Sequence, residues 1–243
     1  GAMALALLVF FTLPYGRRLF SYETLADVGT LSLSVPAIVF SESTSSQIAF
    51  IFGILTYLTI RVSVHLFQYI VLFLIVSILI FMPMIANNLT QLPDTIIHKL
   101  PGSIQHRIQI WDFTADRINE RALLGWGYGS SRDIPNFGVK PMNPDFGSVI
   151  PVHPHNAFLE IWIELGCFGA ALVSIILFSF LRFLYFRRAS ISLAVTVTAI
   201  SISATGYGLW QEHWISTLTS TILLIKILMH QHLPSNWRKK NDL

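Results

Sequence analysis

The 243-residue chain is 53% hydrophobic and only 12% charged, with a mean hydropathy of +0.61. A soluble domain carries roughly 25% charged residues, so composition excludes an ordinary soluble enzyme and points to a membrane protein. The net charge is +3, but the cations are dispersed over short loops, which excludes a nucleic-acid interface.

Seven apolar segments are predicted, at about 2–14, 24–40, 47–60, 64–86, 157–181, 190–208 and 213–230. A bilayer needs ~20 apolar residues per crossing helix. GAMALALLVFF lacks a basic n-region, so it is not read as a signal peptide. Gly1-Ala2-Met3 reads as a cloning remnant on the C-terminal part of a longer protein. Arg17 and Arg18, Arg61, Arg187 and Arg188, and Arg238, Lys239 and Lys240 follow alternate segments. Basic residues in short loops mark the cytoplasmic side, so seven spans place all these clusters inside and the C-terminus in the cytoplasm. The SESTSS turn (41–46), the 87–156 loop and the YGLWQEHW turn (207–214) then face outward. Cys167 lies within an apolar segment and reads as a small hydrophobe; alone, it can form no intramolecular disulfide.

The 87–156 loop balances Lys99, Arg107, Arg117, Arg121, Arg132 and Lys140 against Asp94, Asp112, Asp116, Glu120, Asp133 and Asp145. Inside it, Ile104, Ile108, Trp111, Ala115, Ile118 and Ala122 recur at spacings of three and four, the stripe of an amphipathic helix on the membrane surface or under the spans. GWGYGSS (125–131) reads as a flexible turn, and the Pro- and Gly-rich stretch from Asp133 to Pro151 as a loop ordered on contact.

Chemistry-bearing residues collect where the loop meets the fifth segment. Asn156 is a good N-cap for a helix starting at Ala157, which leaves His155 at the interface, facing the loop. An imidazole there can take a proton near neutral pH. The same residues also fit a capping asparagine with two incidental interfacial histidines. His153, flanked by Pro151 and Pro154, reads as part of a mobile segment; with His155 it could form a metal pair, but no third ligand follows at a ligand spacing. Glu160 and Glu164 share a helix face and could orient His155. Arg107 flanks the stripe one turn before Trp111, placed either to clamp a diphosphate or to snorkel to headgroups. GWGYGSSR (125–132) could cradle a phosphate through backbone amides, helped by Arg132 and Lys140, or act as a hinge; it lacks the ending of a P-loop. Trp210, His213 and Trp214 read as an aromatic belt at the outer interface.

Taken in order, R-x-x-x-W at Arg107 and Trp111, L-G-W-G-x-G at Leu124–Gly129 carrying Trp126, H-x-H-N-x-x-L-E at His153–Glu160 and E-L-G-x-x-G at Glu164–Gly169 resemble the C-terminal half of the O-antigen ligase and polymerase superfamily. The resemblance implies an all-α, polytopic transmembrane helical bundle of the bacterial inner membrane with a long periplasmic loop carrying short amphipathic helices. The chain would divide into transmembrane segments over 1–86, the periplasmic loop over 87–156, and transmembrane segments with a cytoplasmic tail over 157–243. It further implies transfer of a glycan from undecaprenyl diphosphate to a hydroxyl acceptor: lipid A-core in a ligase, a growing glycan in a polymerase, or a protein. No metal or other cofactor is implied. Arg107 and His155 carry over as the catalytic pair, with His153, Asn156, Trp111, Trp126, Arg132 and Glu160 expected at the substrate. Ligases often have an arginine in an S-R-G-type motif, where this chain has Ser43-Thr44-Ser45-Ser46-Gln47. Hydroxyls and an amide can bind phosphate or sugar there, without charge. The rival classes are a transporter or channel subunit and a structural membrane subunit. Ion paths need charged groups inside spans, and only Lys226 lies near the middle of one.

Overall fold

The computed structural model describes residues 6–9, 32, 35–41, 43–60, 64–89, 91–140, 148–186 and 190–231. Among these, regular structure is helical throughout: α1 (Thr44–Ile60), α2 (Val64–Leu89), α3 (Asp94–Ile97), α4 (Gly102–Glu120), α5 (Ala157–Phe186), α6 (Ser190–Thr205) and α7 (Glu212–Gln231), with a 3-10 turn at Ser130–Asp133. Two stretches are long and apolar enough to cross a membrane, Tyr69–Leu89 in α2 and Ala157–Leu184 in α5; α1 and α6 supply shorter apolar helices. The expected segments 2–14 and 24–40 lie largely outside the described residues. Both long helices leave large apolar side chains exposed, among them Phe73, Phe81 and Met84 on α2 and Leu172, Ile175 and Phe178 on α5. A soluble monomer rarely exposes such a contiguous surface, whereas lipid tails cover it at no cost.

The chain forms two compact units. One takes Gly1–Tyr69, Leu181–Ile202 and Glu212–Leu243, the other Ile70–Phe180 and Ser203–Gln211. In the first, polar residues in apolar helices satisfy themselves locally: Thr196 Oγ1 donates to the Ser192 carbonyl at 2.7 Å and Thr198 Oγ1 to Ala194 at 2.9 Å. The Ser43–Gln47 stretch is likewise spent on α1. Ser43 and Ser46 share a hydroxyl hydrogen bond of 2.8 Å, and Gln47 Nε2 donates to the carbonyls of Val39 (3.0 Å) and Ser41 (2.9 Å). Its hydroxyls and amide therefore build a helix start, which leaves little for the phosphate or sugar contact considered from sequence.

The second unit holds every residue of the H-x-H-N, G-W-G and E-L-G motifs. Its α4 buries Ile108, Ile110, Phe113, Thr114, Ala115 and Ile118, a broader face than the predicted stripe. Ile104 and Trp111 are half-buried and Ala122, past the helix end, is exposed. A helix lying flat on lipid would bury one stripe; α4 is packed as part of a core.

Candidate active site

The site rests on a break in α5. Gly166 has φ 63° and ψ −161°, which interrupts the helix about two and a half turns from its N-terminal end. The interruption frees carbonyls on one side and amides on the other, and buried backbone groups must find partners. The chain after α4 supplies them. Trp126 and Gly127 donate their N–H groups to Ile163 (2.7 Å) and Glu164 (3.0 Å), while the Cys167 and Phe168 N–H groups reach Ala122 (2.8 Å) and Leu123 (3.5 Å). Two glycines make the approach possible: a Cβ on Gly166 would lie 2.3 Å from the Leu123 oxygen, and one on Gly125 2.5 Å from the Glu164 carbonyl carbon. The G-W-G and E-L-G motifs are thus two halves of one backbone splice.

That splice brings Glu164 beneath the glycine turn. Its buried carboxylate accepts the Gly129 N–H (2.8 Å) and Trp210 Nε1–H (2.7 Å) on one oxygen and the Ser131 hydroxyl (2.6 Å) and N–H (3.4 Å) on the other. The GWGYGSSR amides considered as a phosphate cradle therefore already hold an anion, the protein's own carboxylate. The turn is fixed, not flexible, and Glu164 does not orient His155. Glu164→Gln would aim an amide N–H₂ at two donors. It should cost about 1–3 kcal/mol, read as a lower melting temperature and faster proteolytic nicking near residues 127–133.

His153, His155 and Glu160 converge on the turn from Gly206 to Gln211. Asn156 caps α5, its Oδ1 accepting the N–H groups of Phe158 (3.0 Å) and Leu159 (3.2 Å). Its buried Nδ2 has no partner among the described residues. His155 sits just before the cap with φ 54°, a left-handed conformation that histidine tolerates better than most residues. Its Nδ1 lies 3.1 Å from the Gly206 carbonyl, which can only accept, so Nδ1 carries the proton and Nε2 keeps a free lone pair. The orienting group expected from Glu160 or Glu164 is thus a backbone carbonyl. Glu160, buried, takes the Leu209 N–H instead. His153 is not mobile: it is 5% exposed, its Nδ1 accepts the His155 N–H at 3.0 Å, and the two rings meet edge to face at 4.4 Å.

Across from this loop, Trp111 donates Nε1–H to the Pro154 carbonyl at 2.9 Å and so ties α4 to the histidine segment. This tie brings Arg107 into electrostatic reach of His155. Burial, above all, holds His155 below the usual histidine range; the Gly206 hydrogen bond opposes this, and the charges of Arg107 and His106 add to the lowering. His106 is itself lowered, first by burial and then by Arg107. Burial also lowers Arg107, yet a guanidinium stays charged. Arg107 makes no hydrogen bond or ion pair with a described residue. Two expected substrate contacts lie elsewhere in this unit. Trp126 spends its Nε1–H on the Arg117 carbonyl (2.8 Å) and stacks under Arg121 at 4.1 Å, while Arg132 is exposed on the 3-10 turn. No cluster of three or more metal-ligating side chains occurs among the described residues.

Sequence reading missed the Gly206–Gln211 turn, taking its flank for an aromatic belt. Its only local signal is two glycines and a glutamine between apolar helices.

Helices throughout the described residues, two of them of membrane length, and a half-buried histidine and arginine in the intervening loop are the features of a membrane protein with a polar site at its surface. The O-antigen ligase family model matches residues 29–174, and the chain belongs to that family. Similar proteins of Rickettsia conorii (33% identical over 204 residues), Rickettsia prowazekii (31% over 202) and Rickettsia felis (30% over 200) carry the name "Putative polysaccharide ligase". Each match covers 78% of this chain and 48% of the relative, so the chain spans about half the length of the curated relatives it matches. No solved structure matches it.

Proposed function

We propose that this chain carries the catalytic half of an inverting, metal-independent glycosyltransferase. It moves a glycan from undecaprenyl diphosphate to a hydroxyl of lipid A-core. One observation carries the reading: a charged Arg107 with no partner among the described residues stands within electrostatic reach of a neutral His155 whose Nε2 makes no hydrogen bond with a described residue. The acceptor oxygen attacks the anomeric carbon, the bond from that carbon to the diphosphate oxygen breaks, and the hydroxyl proton passes to His155 Nε2. Diphosphate leaves as an anion and needs countercharge, not a proton; preorganised charge is the usual means. In this reading the chain belongs to the bacterial inner membrane, with 87–156 periplasmic and the C-terminus cytoplasmic. An O-antigen or exopolysaccharide polymerase and a protein O-oligosaccharyltransferase use the same step and differ in acceptor.

Deleting the full-length gene and scoring the surface glycan tests this. Unattached full-length polymer supports the ligase, short unpolymerised units the polymerase, and an unchanged glycan sinks both. Complementation with Arg107→Lys keeps a charge but not a guanidinium fork. Transfer should fall by about 10²–10³-fold, the cost of one transition-state donor, at a parental membrane level. Parental transfer would return Arg107 to headgroup snorkelling.

The pH dependence has a definite sign. Only neutral His155 is a base, and its proton affinity is lowered. Transfer should therefore persist as pH drops through about 6.5, the ordinary histidine value, and fail only at lower pH. An acid limb above that value would remove His155 as the base.

A further inference from the structure

We propose that Gln211, with Gly208 beside it, is a positioning residue for the transfer reaction, acting on His155 through His153. This rests on the function proposed above. His155 occupies a left-handed backbone conformation, and its N–H is taken by His153 Nδ1. A neutral imidazole has a single N–H. With Nδ1 used as an acceptor, that proton sits on Nε2, 2.9 Å from Gln211 Nε2, while Gln211 Oε1 takes the Gly208 N–H at 3.3 Å. Two N–H groups cannot face each other, so the Gln211 amide must turn over, giving its oxygen to His153 and releasing the longer Gly208 bond. A second proton on His153 could go only to Nδ1, against the His155 N–H, so the pair works only with His153 in the neutral Nε2–H form.

Gly208 fixes the other side of the ring. A Cβ there would lie 2.7 Å from His153 Cγ, 3.0 Å from its Cβ and 3.1 Å from Glu160 Oε1. Neither a ring carbon nor a Cβ can swing aside, so any larger residue pushes His153 off its place. The same turn presents the Gly206 carbonyl to His155. One turn thus sets both the tautomer of His155 and, through His153, its backbone.

The test uses the full-length protein in membranes with an undecaprenyl-diphosphate-linked oligosaccharide as donor. Gln211→Met keeps the length of the side chain and removes the acceptor. Its kcat should fall about tenfold, in line with one lost buried hydrogen bond, with donor KM within about twofold of the parent; Gly208→Ala should do the same. Nitrogen NMR of the histidine-labelled parental protein should show His153 with a bare Nδ1 and a protonated Nε2, and Gln211→Met should mix the two tautomers. A proton on Nδ1 in the parent, a parental kcat in Gln211→Met, or a change in KM alone would each overturn the proposal. A parent that transfers no glycan overturns the function above, while the NMR spectra still decide the tautomer.

Discussion

Replacing His155 by alanine is expected to abolish glycan transfer while the protein still inserts at its normal level. Removing a general base costs roughly 10²–10⁴-fold, and the carboxylates and the second histidine of the segment are already engaged. Glu160 and Glu164 are buried on the Leu209 amide and on the Gly129, Ser131 and Trp210 donors, and His153 Nδ1 is held by the His155 N–H. Because alanine is strained at φ 54°, asparagine is the informative partner variant: it accepts a left-handed backbone but cannot take the proton. Both should be inactive in a deletion strain complemented with the full-length gene, with membrane levels checked by blot. His153→Ala should lose less, since the base itself remains. A transferring His155→Asn would remove the base assignment; an inactive His153→Ala beside an active His155→Ala would move it to His153.

Gly166→Ala is expected to have the largest structural effect. Its backbone, at φ 63° and ψ −161°, lies in a region essentially reserved for glycine and costs an L-residue about 1–3 kcal/mol. The new methyl carbon would also stand 2.3 Å from the Leu123 oxygen, 2.4 Å from its carbonyl carbon and 2.7 Å from the Gly125 nitrogen, all backbone atoms with no freedom to retreat. Overpacking adds roughly 1–3 kcal/mol, and losing the splice orphans four backbone bonds. The variant should therefore melt far below the parent in detergent or fail to accumulate. Gly102→Ala is the control, since a Cβ there meets nothing within 4 Å and its φ is ordinary; it should melt at or slightly above the parental temperature. Equal melting of the two variants would discard the splice as a determinant of the fold.

By itself the sequence determined helicity, the membrane-length apolar runs of α2 and α5, a helix read over 104–122 that ends at Glu120, and the start of α5 at Asn156. These follow from local rules of hydropathy, periodicity and capping that need only neighbours in the chain. The order of its motifs also marked the family and named Arg107 and His155. What only the tertiary structure decided is what each motif residue touches. The glycines of 125–131 read as a hinge or cradle, because spacing cannot show that Glu164, 35 residues beyond Gly129, already fills it. His153 read as mobile because its partners are a backbone amide two residues on and a glutamine 58 residues away. The orienting acceptor of His155 is a carbonyl at Gly206, 51 residues distant, which every residue type possesses and no sequence pattern can mark. Backbone groups carry no residue identity, so a site held by main-chain contacts becomes visible only when the chain has folded around it.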